Sequence, residues 1–292
     1  MELIARDICK RFGEKEVLRG ASFTFEKGRI YGLLGRNGAG KTTLFNCMNE
    51  DVKADGGSFE IAGDDGRRRP IGPEDIGYVL STPVVPEFLT GREFLKFFVE
   101  INQAKLRDPK PLDEYFELMK IAPEDRDKLL KDYSHGMKNK MQMLATVIAS
   151  PEVMLLDEPL TSLDVVAAHE MKEMLMNMKK DHIIIFSTHI LQLAKDLCDE
   201  IVLLHGGKLA GVADEVYHSA DFEEKLIQML SAESDEDTEN IDMWSADAGL
   251  YEQNLSDDKN KNEKDNLMTD GNTENHTQSD SRTDDYDPYD FD

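Results

Sequence analysis

The 292-residue chain is 40% hydrophobic and 32% charged, enough apolar material for one large domain or two small ones. Its formal net charge of −25 is unevenly spread: from Ala232 onward about 20 acidic residues stand against about 4 basic ones, leaving roughly −9 on residues 1–231. Neither part carries the basic stripe a nucleic-acid partner requires, and no apolar run approaches the ~20 residues of a membrane-spanning helix.

In chain order, residues 2–8 and 21–26 alternate apolar and polar as half-buried strands do. The opening MELIARDICKRF lacks a signal-peptide core. The run at 29–34, RIYGLL, reads as a central strand, and the glycine-rich GRNGAGKT of Gly35–Thr42 follows it directly. A helix is expected from Lys41, then strands at 57–61 and 76–80. Between Pro86 and Ser150 the pattern turns helical. Thr90 can cap a helix over 91–104, whose Phe94, Phe97, Phe98 and Ile101 recur at helical spacing and are expected in the core. Two shorter helices are expected next, then a longer one from His135 to Ala149.

Strands are expected at 153–157, 182–187, 201–205 and 208–212, the last two joined by a hairpin turn at Gly206-Gly207. The methionines Met137, Met141, Met143, Met171, Met174, Met176 and Met178 read as core filler. Cys9, Cys47 and Cys198 have no metal-ligand or redox spacing, so small buried thiols in a reducing cytosol are expected. After Ser231 the chain is rich in Asp, Glu, Asn, Ser and Thr and is expected to be disordered, because it cannot bury enough apolar area to offset chain entropy. Its end, DDYDPYDFD, fits either solvated filler or a docking motif.

The chemistry centres on GRNGAGKT, which fits G-x-x-x-x-G-K-[ST]. Glycines let successive N–H groups of Gly35, Arg36, Asn37, Gly38, Ala39 and Gly40 turn toward one point and cradle phosphate oxygens. Lys41 adds a point charge on the β- and γ-phosphates, Thr42 offers a hydroxyl to Mg²⁺, and Thr43 can add a further phosphate contact. A second site is Val153-Met-Leu-Leu-Asp-Glu158, an apolar strand with two carboxylates at its carboxyl end. If the strand alternation continues, Asp157 can hold Mg²⁺ while Glu158 faces a water beside the γ-phosphate. His189, in FSTH after another apolar strand, is placed to hydrogen-bond that phosphate. In Tyr133-Ser-His-Gly-Met137, Ser134 caps a helix whose N-terminus, with about half a positive charge, is an anion site that Gly136 leaves open to close approach.

This order of elements closely resembles the ATP-binding subunits of ABC transporters, over nearly all of residues 1–230. The resemblance rests on the P-loop at 35–42, the signature at 133–137, the acidic strand at 153–158, the D-loop Ser162-Leu-Asp164 and the switch histidine His189. It implies an α/β fold over 1–231: a P-loop NTPase core with an N-terminal antiparallel β-subdomain and an α-helical signature subdomain at about 84–150, plus a disordered C-terminal tail at 232–292. It implies ATP and Mg²⁺ as ligands, Phe12 stacked on adenine, and two copies packed head to tail. Each ATP would touch the P-loop of one copy and Ser134 and Gly136 of the other, with Asp164 across the interface.

The resemblance further implies an ATPase, with Glu158 polarising the attacking water, that powers a separately encoded membrane permease and is peripheral on the inner face of the membrane through it. The segment 76–98, above all Leu89-Thr-Gly-Arg-Glu93, resembles the ATPases of small two-component exporters. A cassette serving cofactor assembly or another role away from transport is the alternative. The sequence departs from the family pattern L-S-G-G-Q at His135 and Met137, and Ser81 stands where the family commonly places a glutamine that ligates Mg²⁺ and senses the permease.

Overall fold

The computed structural model describes residues 1–104, 106, 110–160, 165–219 and 221–231. The expected tail at 232–292 and the D-loop residues Ser162 and Asp164 lie outside the described residues.

Two sheets organise the described residues. Strands β1 (Glu2–Phe12), β2 (Lys15–Glu26), β4 (Gly56–Ala62) and β5 (Arg68–Pro70) form an antiparallel sheet in the order β2-β1-β4-β5. The second sheet runs β10-β9-β3-β8-β7-β6, built from β3 (Ile30–Leu34), β6 (Ile76–Val79), β7 (Val153–Asp157), β8 (Ile183–Thr188), β9 (Glu200–His205) and β10 (Lys208–Gly211). All its pairings are parallel except β9 with β10, which turn back on each other at Gly206-Gly207 as expected. The helices are α1 (Lys41–Met48), α2 (Gly91–Ile101), α3 (Leu112–Leu118), α4 (His135–Ala149), α5 (Val165–Met178), α6 (Leu191–Leu197), α7 (Asp214–Tyr217) and α8 (Phe222–Ser231).

The continuous apolar runs of β7 and β8 follow from burial on both faces. Successive residues enter opposite cores: Met154, Leu156, Ile184 and Phe186 join the aromatic cluster of α2, α3 and α4. Val153, Leu155, Ile183 and Ile185 join Phe25, Tyr31 and Phe45 beneath the antiparallel sheet. Each such buried side chain removes enough apolar area from water to stabilise the fold by ~1.5–3 kcal/mol. Thr90 caps α2 as expected, its hydroxyl accepting from Glu93 N–H (3.2 Å) while Glu93 Oε2 accepts from Thr90 N–H (2.9 Å).

Several expectations need correction. Phe94 is buried, but Phe97 (52% exposed) and Ile101 (58%) are not core: α2 packs along only one edge of its apolar stripe. Met176 is likewise exposed, and Cys9 is only half-buried, whereas Cys47 and Cys198 are buried. Of the two short helices expected after α2, one is the α-helix α3; the remainder is two 3₁₀ turns at Pro123–Asp125 and Leu130–Asp132. The edge strand β5 went unrecognised because its Arg-Arg-Pro is exposed throughout and has no apolar alternation.

Candidate functional site

The P-loop leaves β3 at Leu34 and enters α1 at Lys41. Gly40 has φ of 109°, and a Cβ there would sit 2.7 Å from Val17 Cγ1, so both backbone conformation and space require glycine. Ala39 N–H donates to Arg36 O at 3.0 Å, closing the loop's turn. Lys41 is buried, and its ammonium donates to Gly35 O at 2.8 Å and Arg36 O at 3.5 Å, which sets the charge inside the loop's curve. Burial pulls its pKa down, and the nearby Glu158 and Asp157 carboxylates oppose that shift. Arg36, Asn37, Gly38 and Thr42 are exposed, and Thr43 is half-buried.

The neighbouring strands bring the acidic pair to this loop. Asp157, 5% exposed at the end of β7, accepts from Thr42 Oγ1 through Oδ2 (3.0 Å). Its Oδ1 accepts from Ser187 Oγ at 2.6 Å. Glu158 does not continue the strand's alternation. The strand ends at Asp157, and Glu158 takes φ of 50°, a left-handed turn fixed by its N–H donating to Ser187 Oγ at 3.1 Å. This turn carries the Glu158 carboxylate to His189, whose Nδ1 lies 3.1 Å from Oε1. Glu158, 28% exposed, and His189, 49% exposed, thus form one unit open to solvent.

Ser187 is the residue that sequence reasoning missed. It is fully buried, and its hydroxyl donates to the Asp157 carboxylate and accepts from the Glu158 backbone N–H. Its sequence signal, two positions before His189 in FSTH, acquires meaning only from the parallel register that sets Asp157 opposite Ser187.

A cleft of about 420 Å³ beside the loop is lined by Gly35, Arg36, Asn37, Thr188, His189 and Leu230 among others. Ser134 and Gly136 do not line it; they sit at the start of α4, where Ser134 is exposed and its Oγ accepts from Met137 N–H at 3.2 Å. Phe12 ends β1 half-exposed rather than in the core, with Lys10 Nζ 5.3 Å from its ring centroid. Ser81 is exposed in the loop after β6. Asp164 lies outside the described residues.

Thr42 and Asp157 present two hard oxygen donors 3.0 Å apart at a phosphate-cradling loop, a donor set suited to Mg²⁺, which favours one or two protein oxygens beside phosphate and water. Among the described residues no cluster of three or more His, Cys, Asp or Glu could hold a metal by itself.

A glycine loop between strand and helix, with two carboxylates and a histidine at the carboxyl ends of adjacent parallel strands, defines a P-loop nucleotide-binding ATPase. The particular family follows from comparison. The family described as ABC transporter matches residues 18–161. An uncharacterized ABC transporter ATP-binding protein of Methanocaldococcus jannaschii is 34% identical over 204 residues, covering 69% of this chain and 73% of that protein. Another, from Nostoc sp., is 34% identical over 215 residues, and there the chain spans only 62% of the relative's length. The Nod factor export ATP-binding protein I of Burkholderia lata is 34% identical over 214 residues, 70% of this chain and 67% of the relative. A solved ATP-binding subunit of an ABC transporter superimposes with a TM-score of 0.63 at 24% identity, over 82% of this chain and 99% of that one. The chain belongs to the ABC transporter ATP-binding proteins, a family of ATP-hydrolysing nucleotide-binding cassettes.

Proposed function

We propose that this chain binds ATP with Mg²⁺ at Gly35–Thr43, hydrolyses it, and thereby drives a separately encoded membrane permease, working as an exporter. The observation that carries the reading is the convergence of Lys41, Thr42, Asp157, Glu158 and His189 at the carboxyl ends of adjacent strands of the six-stranded sheet. The loop amides and Lys41 hold the phosphates, and the exposed Phe12 ring stacks on the adenine. Thr42 and Asp157 hold Mg²⁺, which when bound offsets phosphate charge. Glu158 accepts the proton of the attacking water, and His189 keeps that carboxylate turned toward the γ-phosphate.

The cradle covers one flank of a triphosphate. Ser134, exposed, and Gly136, half-buried, sit at the N-terminus of a 15-residue helix away from the loop's own cleft and supply the other flank from a second copy packed head to tail. Asp164 belongs to that interface in this reading. The permease contact is the groove of about 710 Å³ between β6 and α2, an apolar surface where Phe88 is 78% and Val84 70% exposed. Among the described residues no helix is long and apolar enough to cross a membrane, which agrees with a partner chain doing the crossing. The lean to export is supported by the Nod factor export relative.

The test is Glu158→Gln. It should bind ATP as the parent does yet lose about two orders of magnitude or more of turnover. With ATP it should form a dimer, seen by sedimentation, that Ser134→Glu abolishes. Near-parental turnover in Glu158→Gln would remove the assignment of the base. Co-purification with a multi-helix membrane protein checks the permease.

A further inference from the structure

Helix α4 carries Ser134 at its N-cap, and residues Lys138, Gln142 and Thr146 follow at intervals of four. Side chains four apart stack along one face of a helix, so these three form a single row running back from Ser134. Every member of the row is engaged with β6 or the loop that leaves it. Lys138 Nζ pairs with Glu87 Oε1 at 2.6 Å. Gln142, 8% exposed, spans the loop: its Nε2 donates to Leu80 O at 3.2 Å, and its Oε1 accepts from Val84 N–H at 2.9 Å. Thr146 presses on Gly77 so closely that a Cβ there would lie 2.4 Å from Thr146 Cγ2 and 2.7 Å from Pro151 Cγ.

The chemistry of Gln142 suits the role. Among the described residues strand β6 is the edge of its sheet, and no strand there flanks the backbone groups of the loop beyond it. A primary amide offers both a donor and an acceptor, and so replaces a peptide group as partner to Leu80 O and Val84 N–H. The span it closes, residues 80–84, contains Ser81 and forms one wall of the apolar groove, which Gln142 also lines. Eight residues of helix separate Gln142 from Ser134, about 12 Å of rigid rise.

We infer that Gln142 is a positioning residue that straps the Ser81 loop to the signature helix, so that a displacement at the groove is delivered to Ser134 and hence to ATP turnover. The strap supplies a mechanical link, seated at Gly77 and Thr146 and free to act at the other end of the row. The inference rests on the reading of Ser134 as a phosphate contact, and its test separates the two.

Gln142→Met keeps length and shape but cannot make either bond, while Val84→Pro deletes the donor at the loop's end and fixes φ there, at a residue 70% exposed and outside the core. In the full-length chain, both should leave the dissociation constant for ATP within about twofold, because neither touches the P-loop. Both should lower kcat by roughly 2- to 30-fold, the range for substitutions along a coupling route. A residue that merely supported the fold would multiply its loss with that of Ser134→Ala. A residue acting through Ser134 gives a double variant Gln142→Met/Ser134→Ala no slower than Ser134→Ala alone. Parental kcat in both strap variants, or strictly multiplicative losses in the double variant, overturns the inference. If Gln142→Met does not fold, Val84→Pro with Ser134→Ala decides the same question. Parental kcat in Ser134→Ala alone would instead remove the parent reading of that serine.

Discussion

Replacing Ser187 with alanine removes one oxygen atom and two hydrogen bonds, one to the Asp157 carboxylate and one to the Glu158 backbone N–H. Its hydroxyl donates to Asp157 Oδ1 at 2.6 Å and accepts from Glu158 N–H at 3.1 Å, with no solvent to replace either. A hydrogen bond to a charged group contributes ~1.5–3 kcal/mol, and an orphaned buried N–H costs ~1–3 kcal/mol. The two share one atom and are not additive, so we expect a destabilisation of about 3 kcal/mol. In a unit of this size that lowers Tm by roughly 6–12 °C. Function should suffer separately, because Glu158 loses the bond that fixes its left-handed turn and Asp157 can rotate away from Thr42. Turnover should fall about tenfold at temperatures where the variant remains folded. Urea denaturation and steady-state ATP hydrolysis on the same preparation check both parts. A stability change below ~0.5 kcal/mol together with parental turnover would refute the claim that Ser187 organises the acidic pair.

Two further outcomes follow from the geometry. Phe12→Ala should weaken ATP binding by ~1 kcal/mol, roughly fivefold, and leave stability unchanged because the ring is half-exposed; isothermal titration and thermal melting measure the two effects. Burial pushes the Tyr133 phenol up to about 12, and its hydroxyl donates to Asp125 O at 2.7 Å. An acid whose folded pKa is raised favours the protonated folded state. Its contribution is therefore fully present below the ordinary tyrosine value near 10 and is lost as pH rises toward 12. Denaturation midpoints followed across that interval should fall more steeply for the parent than for Tyr133→Phe.

Much of the site could be read directly because its parts are local. The P-loop needs eight consecutive residues, and the structure places it between strand and helix as the sequence implied. The signature helix begins and ends at the expected residues, since Ser134 and the apolar pattern of α4 act within a turn or two. The parts that failed depend on what lies opposite. Periodicity assigned Phe97 and Ile101 to a core, but it cannot tell how wide a strip of α2 its neighbours cover. Strand alternation separated Asp157 from Glu158 for a reason the structure replaces: a left-handed turn does the work.

The sequence alone determined the phosphate cradle, the carboxylates and the order of elements, because each is encoded by neighbouring residues whose backbone preferences and chemistry act at short range. Tertiary structure alone decided that Ser187 meets both acids and that Gln142 spans the Ser81 loop. These contacts join residues tens of positions apart, and they exist only because strand register and helix seating bring the two halves of each bond within three ångströms or so.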